Sequence, residues 1–117
     1  MEVKGFENYV IHENGKVFNK KNNKLMKTYY DRDGYERVRL TNKEIRKLFG
    51  VHRLVVMHYL DNPNDYAEVD HINRIRDDNR LENLRWANRS MNLINRKKFK
   101  TGEFFFIKYI NPHIFTK

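Results

Sequence analysis

The run VDHINRIRDDNRLENLRWANRSMNLINRK, residues 69–97, decides how this chain is read. Val69 to Ile72 and Leu81 to Trp86 have the composition of short strands, and the polar octet NRIRDDNR between them has that of a loop, so the segment predicts a hairpin. Asn88 is a good helix N-cap. The residues after it, Arg89 to Lys97, include Met91, Leu93 and Ile94, which predicts a helix with those three apolar side chains turned inward.

Upstream, VHRLVVMHYL at 51–60 is apolar enough for a buried helix, and Asp61-Asn62-Pro63 stops it. Its histidines, His52 and His58, are six residues apart, roughly 600° of rotation at ~3.6 residues per turn, so they do not share a metal site. His12 and His113 suggest no site role either, and His52 reads as a helix-start or core residue. The first 50 residues read as strands and turns. Tyr9 to Ile11, then Asn14-Gly15, then Lys16 to Phe18 predict a hairpin, because Asn-Gly tolerates positive φ. Leu25 to Tyr30 and Tyr35 to Leu40 predict a second, the latter alternating apolar and charged residues. Residues 44–50, EIRKLFG, lean to strand.

With 117 residues, there is room for one compact domain. Lysine and arginine number 24 against 15 acids, a net +9, which points to a polyanionic partner. No stretch approaches the ~20 apolar residues that cross a bilayer, and the charged start MEVKGFENY has no apolar signal core, so a soluble cytoplasmic protein with no membrane partner is expected. Without cysteine there is neither disulfide nor thiolate zinc site. Sixteen aromatics, eight Phe, seven Tyr and one Trp, are too many for a disordered basic tail. The basic runs are Lys16, Lys20, Lys21, Lys24 and Lys27, and then Arg85, Arg89, Arg96 and the lysines after it. Between them, residues 61–82 hold seven acids against Arg74, Arg76 and Arg80. Those acids either pair with the arginines in a solvated loop or hold a cation that bridges them to phosphate.

Asp70 and His71 are adjacent, Asn83 follows twelve residues after His71, and Asn92 nine after that. With His52-Arg53-Leu54-Val55, Val69-Asp70-His71-Ile72, Asn79-Arg80-Leu81-Glu82-Asn83-Leu84-Arg85-Trp86 and Ser90-Met91-Asn92, the segment 51–95 resembles the HNH endonucleases, especially phage and intron homing nickases. The resemblance implies an α+β protein: antiparallel β-hairpins over 1–50 that bind DNA, a ββα-metal nuclease core over 51–100 and an aromatic tail over 101–117. It implies that His71 activates water, Asp70 and Asn92 bind the metal, and Asn83 holds the histidine-bearing loop. Many family members have histidine where Asn92 stands; an amide oxygen there suits one Mg²⁺ or Mn²⁺ rather than zinc.

A phosphodiester is anionic and repels hydroxide, so cleavage needs charge neutralisation and a base that is neutral at pH 7, which histidine supplies. Double-stranded DNA is the implied partner of a monomer or homodimer, with Lys16, Lys20, Lys21, Lys24, Lys27, Arg37, Arg39, Arg53, Arg85, Arg89 and Arg96 meeting it. For Arg37 and Arg39 a plain solvated sheet face is the rival reading. The abundance of Asn, Lys, Ile, Phe and Tyr suits an AT-rich genome such as a phage. Two other functions fit the same charge pattern: a sequence-specific DNA-binding protein on an HNH scaffold that no longer cuts, and an RNA- or ribosome-binding β-rich module.

Overall fold

The computed structural model describes residues 1–100, with side chains described through Asn95. The tail over 101–117, including His113, lies outside the described residues, as do the side chains of Arg96 and the lysines that follow it.

The Asn-Gly turn forms where the sequence asks for it. Gly15 has φ +86°, and strand β2 (Phe6–Ile11) pairs antiparallel with β3 (Val17–Asn19), Ile11 opposite Val17. β1 (Glu2–Val3) and β4 (Lys24–Leu25) complete a four-stranded sheet in the order β1-β2-β3-β4. A second sheet, β5-β6-β7, contains β5 (Tyr29–Tyr30), β6 (Glu36–Asn42) and β7 (Ile45–Gly50). In β6, the period-two pattern buries Val38 and Leu40 and leaves Arg39 exposed. The stretch expected as one strand from Leu25 to Tyr30 is broken instead. Lys24 and Leu25 pair with β3, while Tyr29 and Tyr30 pair with β6, so one extended segment serves two sheets.

Helix α1 (Val51–Tyr59) buries Val51, Leu54, Val55 and Val56. Their spacing makes a stripe one helix face wide. That stripe packs with Val3, Ile11, Val17, Val38, Leu40 and Leu84 in one apolar cluster, so α1 binds both N-terminal sheets to the C-terminal hairpin. The hairpin pairs β8 (Glu68–His71) with β9 (Leu84–Ala87), entered through a single 3₁₀ turn at Leu81–Asn83. α2 (Arg89–Lys100) follows, and its Asn88 cap accepts a hydrogen bond from Met91 N at 2.9 Å. The architecture is α+β: antiparallel hairpins, then a ββα unit.

Of the three apolar residues of α2 expected to face inward, Met91 is half-buried and the other two are not buried. Leu93 and Ile94 are 41% and 47% exposed, whereas Asn92 and Asn95 are 8% and 2% exposed. The reason lies in what the helix packs against. It covers β8 and the residue after it, where Glu68, the Asp70 carboxylate and the carbonyls of His71 and Ile72 accept hydrogen bonds from the Asn92 and Asn95 amides, which apolar side chains could not donate. Among the described residues no helix is long and apolar enough to cross a membrane.

Candidate active site

Strand alternation splits the residues of β8 between two environments. Glu68 and Asp70 face α2: Asn92 Nδ2 donates to Glu68 Oε1 at 2.8 Å, and Asn95 Nδ2 lies 3.2 Å from both Asp70 oxygens. His71 faces the N-terminal half of the protein, with its ring 5.1 Å from that of His52 and 5.9 Å from that of Tyr35, centroid to centroid. An open cleft of about 480 Å³ runs past both sides and is lined by Asp70, His71, Asn92, Glu68, His52 and Tyr35, with Arg53, Arg74 and Arg76 at its walls.

Asp70 stands directly opposite Arg85 in the β8–β9 ladder. Opposite residues share a face of the sheet, and Arg85 Nε donates to Asp70 Oδ2 at 3.0 Å. Both side chains are 6% exposed. Burial raises the Asp70 pKa above the usual carboxylate value, and the adjacent guanidinium and the Asn95 amide oppose that rise. Burial also lowers the pKa of Arg85.

His71 is pushed the other way. Burial lowers its pKa, only partly offset by its hydrogen bond to Asn79 and by nearby aspartates. Its neighbour His52 is held down at about 4, by burial first and by the His71 ring second. Both rings are therefore neutral at pH 7. His71 Nε2 lies 2.8 Å from Asn79 Oδ1, and Asn79 Nδ2 donates onward to Glu36 Oε1 at 3.1 Å.

Asn83 holds the connecting loop. Its Oδ1 accepts from Asn73 N at 3.0 Å, and its Nδ2 donates to Asn73 Oδ1 at 2.9 Å and Asp78 O at 2.8 Å. Asp78 and Glu82 pair with Arg80, so for these two acids of the 61–82 cluster the solvated-loop reading is correct. The Arg76 guanidinium sits 5.2 Å from the Tyr35 ring centroid and donates to Asp33 O, which joins the same loop to the β5–β6 turn.

The structure thus brings Asp70, His71 and Asn92 to one cleft, whereas Asn83 does not line it and instead ties down the loop that follows His71. The basic residues divide. Lys16, Lys21, Lys24, Lys27, Arg39 and Arg89 are exposed, and so is Lys20, which pairs with Glu2. Arg37 is half-buried in an ion pair with Asp31 at 2.9 Å. Arg53 lines the cleft, donates to Ala67 O at 3.0 Å and lies over Trp86. Arg85 corrects the expectation of a DNA-facing side chain: it is buried against Asp70, because the ladder register sets it opposite an acid that is itself out of water. The sequence reading missed Glu36, Asn79 and Asn95. Asn79 stood in the quoted family motif without a role, and Asn95 left a trace as an asparagine one helical turn beyond Asn92.

Among the described residues no group of three or more His, Cys, Asp or Glu side chains is gathered to hold a metal. A hard, strongly hydrated cation does not need one. Arg85 and Asn95 leave lone-pair capacity on the Asp70 carboxylate, and Asn92, whose nitrogen is engaged by Glu68, has an amide oxygen to offer. One carboxylate and one amide oxygen, completed by water, are a donor set that fits a hard divalent cation.

Residues 49–93 match the family model described as HNH endonuclease. The chain carries an HNH endonuclease domain. Residues 1–41 match the NUMOD4 motif, so the β-rich half ahead of the HNH domain has a family likeness of its own. The chain is 39% identical over 94 residues to the "Uncharacterized HNH endonuclease L245" of Acanthamoeba polyphaga mimivirus, covering 80% of this chain and 28% of that protein. It is 34% identical over 96 residues to "DNA endonuclease I-HmuI" of Bacillus phage SP01, covering 81% and 55%. The solved structure described as "DNA binding and cleavage by the HNH homing endonuclease I-HmuI" superposes with a TM-score of 0.76 at 32% identity, over 88% of this chain and 59% of that one. The chain therefore spans less than two thirds of each of these relatives.

Proposed function

We propose that this protein is a metal-dependent DNA endonuclease that hydrolyses a phosphodiester of duplex DNA, as a nickase or homing-type enzyme. The observation that carries the proposal is the convergence of a neutral, buried histidine with a carboxylate and an amide oxygen donor on one open cleft, from a hairpin and the helix after it. His71 is the base, taking the proton of the attacking water. Asp70 and Asn92 are the metal ligands, and Asn83 keeps the His71 loop in place. Bound there, Mg²⁺ or Mn²⁺ would offset the negative charge of the phosphate and of the departing 3′ oxygen. The exposed lysines from Lys16 to Lys27, with Arg39 and Arg89, supply positive surface for the DNA backbone, and residues 1–50 serve as its binding segment.

Supercoiled plasmid incubated with Mg²⁺ or Mn²⁺ tests this directly. The expected result is conversion to open circle that stops with chelator. His71→Ala should slow it by roughly 10²–10⁴-fold and leave DNA affinity near that of the unaltered protein. Asp70→Asn and Asn92→Ala should lose metal-supported cutting. Wild-type nicking by His71→Ala would reject the assignment of the base, and binding without any cutting by the unaltered protein would instead make it a DNA-binding HNH scaffold.

A further inference from the structure

We propose that Glu36 and Asn79 are positioning residues for His71, fixing its imidazole as the Nε2–H tautomer so that Nδ1 is the nitrogen that accepts a proton. The inference rests on His71 being the base proposed above.

Its logic is one of donors and acceptors. An ionised carboxylate can only accept. Glu36 Oε2 accepts from Thr28 Oγ1 at 2.6 Å, and Glu36 Oε1 faces the side chain of Asn79 at 3.1 Å, so the atom Asn79 turns to it must be its NH₂ group. The amide oxygen is then the atom that meets His71 Nε2 at 2.8 Å. An oxygen without hydrogen on that side requires a donor opposite, so Nε2 carries the proton. In a neutral ring the other nitrogen then holds a free lone pair. The carboxylate of Glu36 thereby settles an amide orientation that bond lengths alone would leave ambiguous.

Asn79 has little freedom to escape this arrangement. It is 3% exposed. The backbone two residues on is tied to the first hairpin by Leu81 N donating to Glu13 O at 2.7 Å. The Asn-Gly turn lies close against it: a Cβ on Gly15 would lie 3.0 Å from Asn79 Cβ and 3.1 Å from its carbonyl oxygen. Glu13, Gly15, Thr28 and Glu36 all precede the HNH domain. The N-terminal sheets are thus part of the apparatus that orients the base, in addition to any contact they make with DNA.

Histidine labelled with ¹⁵N reads the tautomer by NMR in metal-free protein, where protonated and unprotonated ring nitrogens have distinct shifts, with His71 assigned by the loss of its signals in His71→Ala. The unaltered protein should carry the proton on Nε2. In Glu36→Gln the new amide can donate to Asn79, which lets the Asn79 amide turn over, and the proton should move wholly or partly to Nδ1. Asn79→Ala should do likewise. The double variant E36Q/N79D restores an acceptor-only group beside Nε2, with the introduced glutamine now donating to it, and should return the proton to Nε2. Nicking by Glu36→Gln should fall about 10–100-fold in kcat with KM for DNA unchanged. A proton on Nδ1 in the unaltered protein, or one that stays on Nε2 in both single variants, overturns the assignment whatever the rates do. A tautomer that moves without loss of kcat overturns the positioning role. Absence of nicking by the unaltered protein, with Nε2 protonated, would sink the nuclease reading alone and leave the tautomer standing.

Discussion

Replacing Arg85 with methionine keeps most of the side-chain volume and removes the guanidinium that donates to the Asp70 carboxylate across the core hairpin, at 3.0 Å. Both partners are almost completely buried, so solvent cannot take over the role of the guanidinium. Removing one member of such a pair costs about 3–5 kcal/mol, because the stranded charge keeps its desolvation penalty and loses its compensation. Asn95 Nδ2 remains on both carboxylate oxygens and moderates the loss, which favours the lower end of that range. A loss of about 3 kcal/mol is a large share of the ~5–15 kcal/mol by which a domain of this size is stable. It corresponds to a fall in Tm of roughly 12–24 °C.

The assay is thermal unfolding followed by circular dichroism, in chelator, for the unaltered protein, Arg85→Met, Asp70→Asn and the double variant. Asp70→Asn/Arg85→Met has no buried charge to strand and is expected to be more stable than Arg85→Met alone by about 1 kcal/mol or more. The deficit of Arg85→Met should also shrink with acid. Asp70 already has a raised pKa, and without the guanidinium it rises further. A group whose pKa is higher folded than unfolded adds stability below its unfolded pKa, and that contribution disappears as pH climbs through the folded value. A single variant within a few degrees of the unaltered protein at pH 7, or a double variant less stable than Arg85→Met, would refute the reasoning.

Three further outcomes are expected. His52 is held at about 4 in the folded protein against an ordinary 6.5, so it adds up to about 3 kcal/mol of stability above pH 6.5 that is lost as pH falls towards 4. Urea midpoints measured across that window should fall less steeply in His52→Gln, and equal slopes would contradict the shift. Asn83→Ala strips the loop of three hydrogen bonds made by a buried side chain and should cost about 2–3 kcal/mol while speeding amide exchange over residues 73–78; unchanged exchange there would separate Asn83 from the loop. DNA affinity should fall with salt by about 0.9 log unit per log unit for each phosphate neutralised, and Lys21→Ala or Lys24→Ala should each lower that slope by about one contact; a slope near zero would argue against a phosphate-binding surface.

What could be read before folding was what local physics controls. Asn14-Gly15 dictated a tight turn through positive φ, alternation from Tyr35 to Leu40 dictated a half-buried strand, and the apolar run from Val51 dictated the helix that joins the halves. The four residues of the HNH pattern were legible through family likeness, as fixed intervals in sequence. Burial of polar groups follows a different rule. Periodicity counts apolar side chains, so it turned Leu93 and Ile94 inward, whereas α2 packs by its asparagines because β8 offers hydrogen-bond acceptors there. Arg85, in a basic run, was expected to meet DNA, yet the register of two strands placed it across from Asp70 and took both out of water.

The amino-acid sequence by itself determined the turns, the amphipathic strand, the central helix and the set of side chains able to do the chemistry, since each depends on neighbours a few positions away. Only the tertiary structure decided which of those polar groups face one another. Glu36 and Asn79 are 43 residues apart, and nothing along the chain between them encodes that one will orient the other. A hydrogen bond is satisfied by a partner in space, and that partner is chosen by how sheets and helices pack.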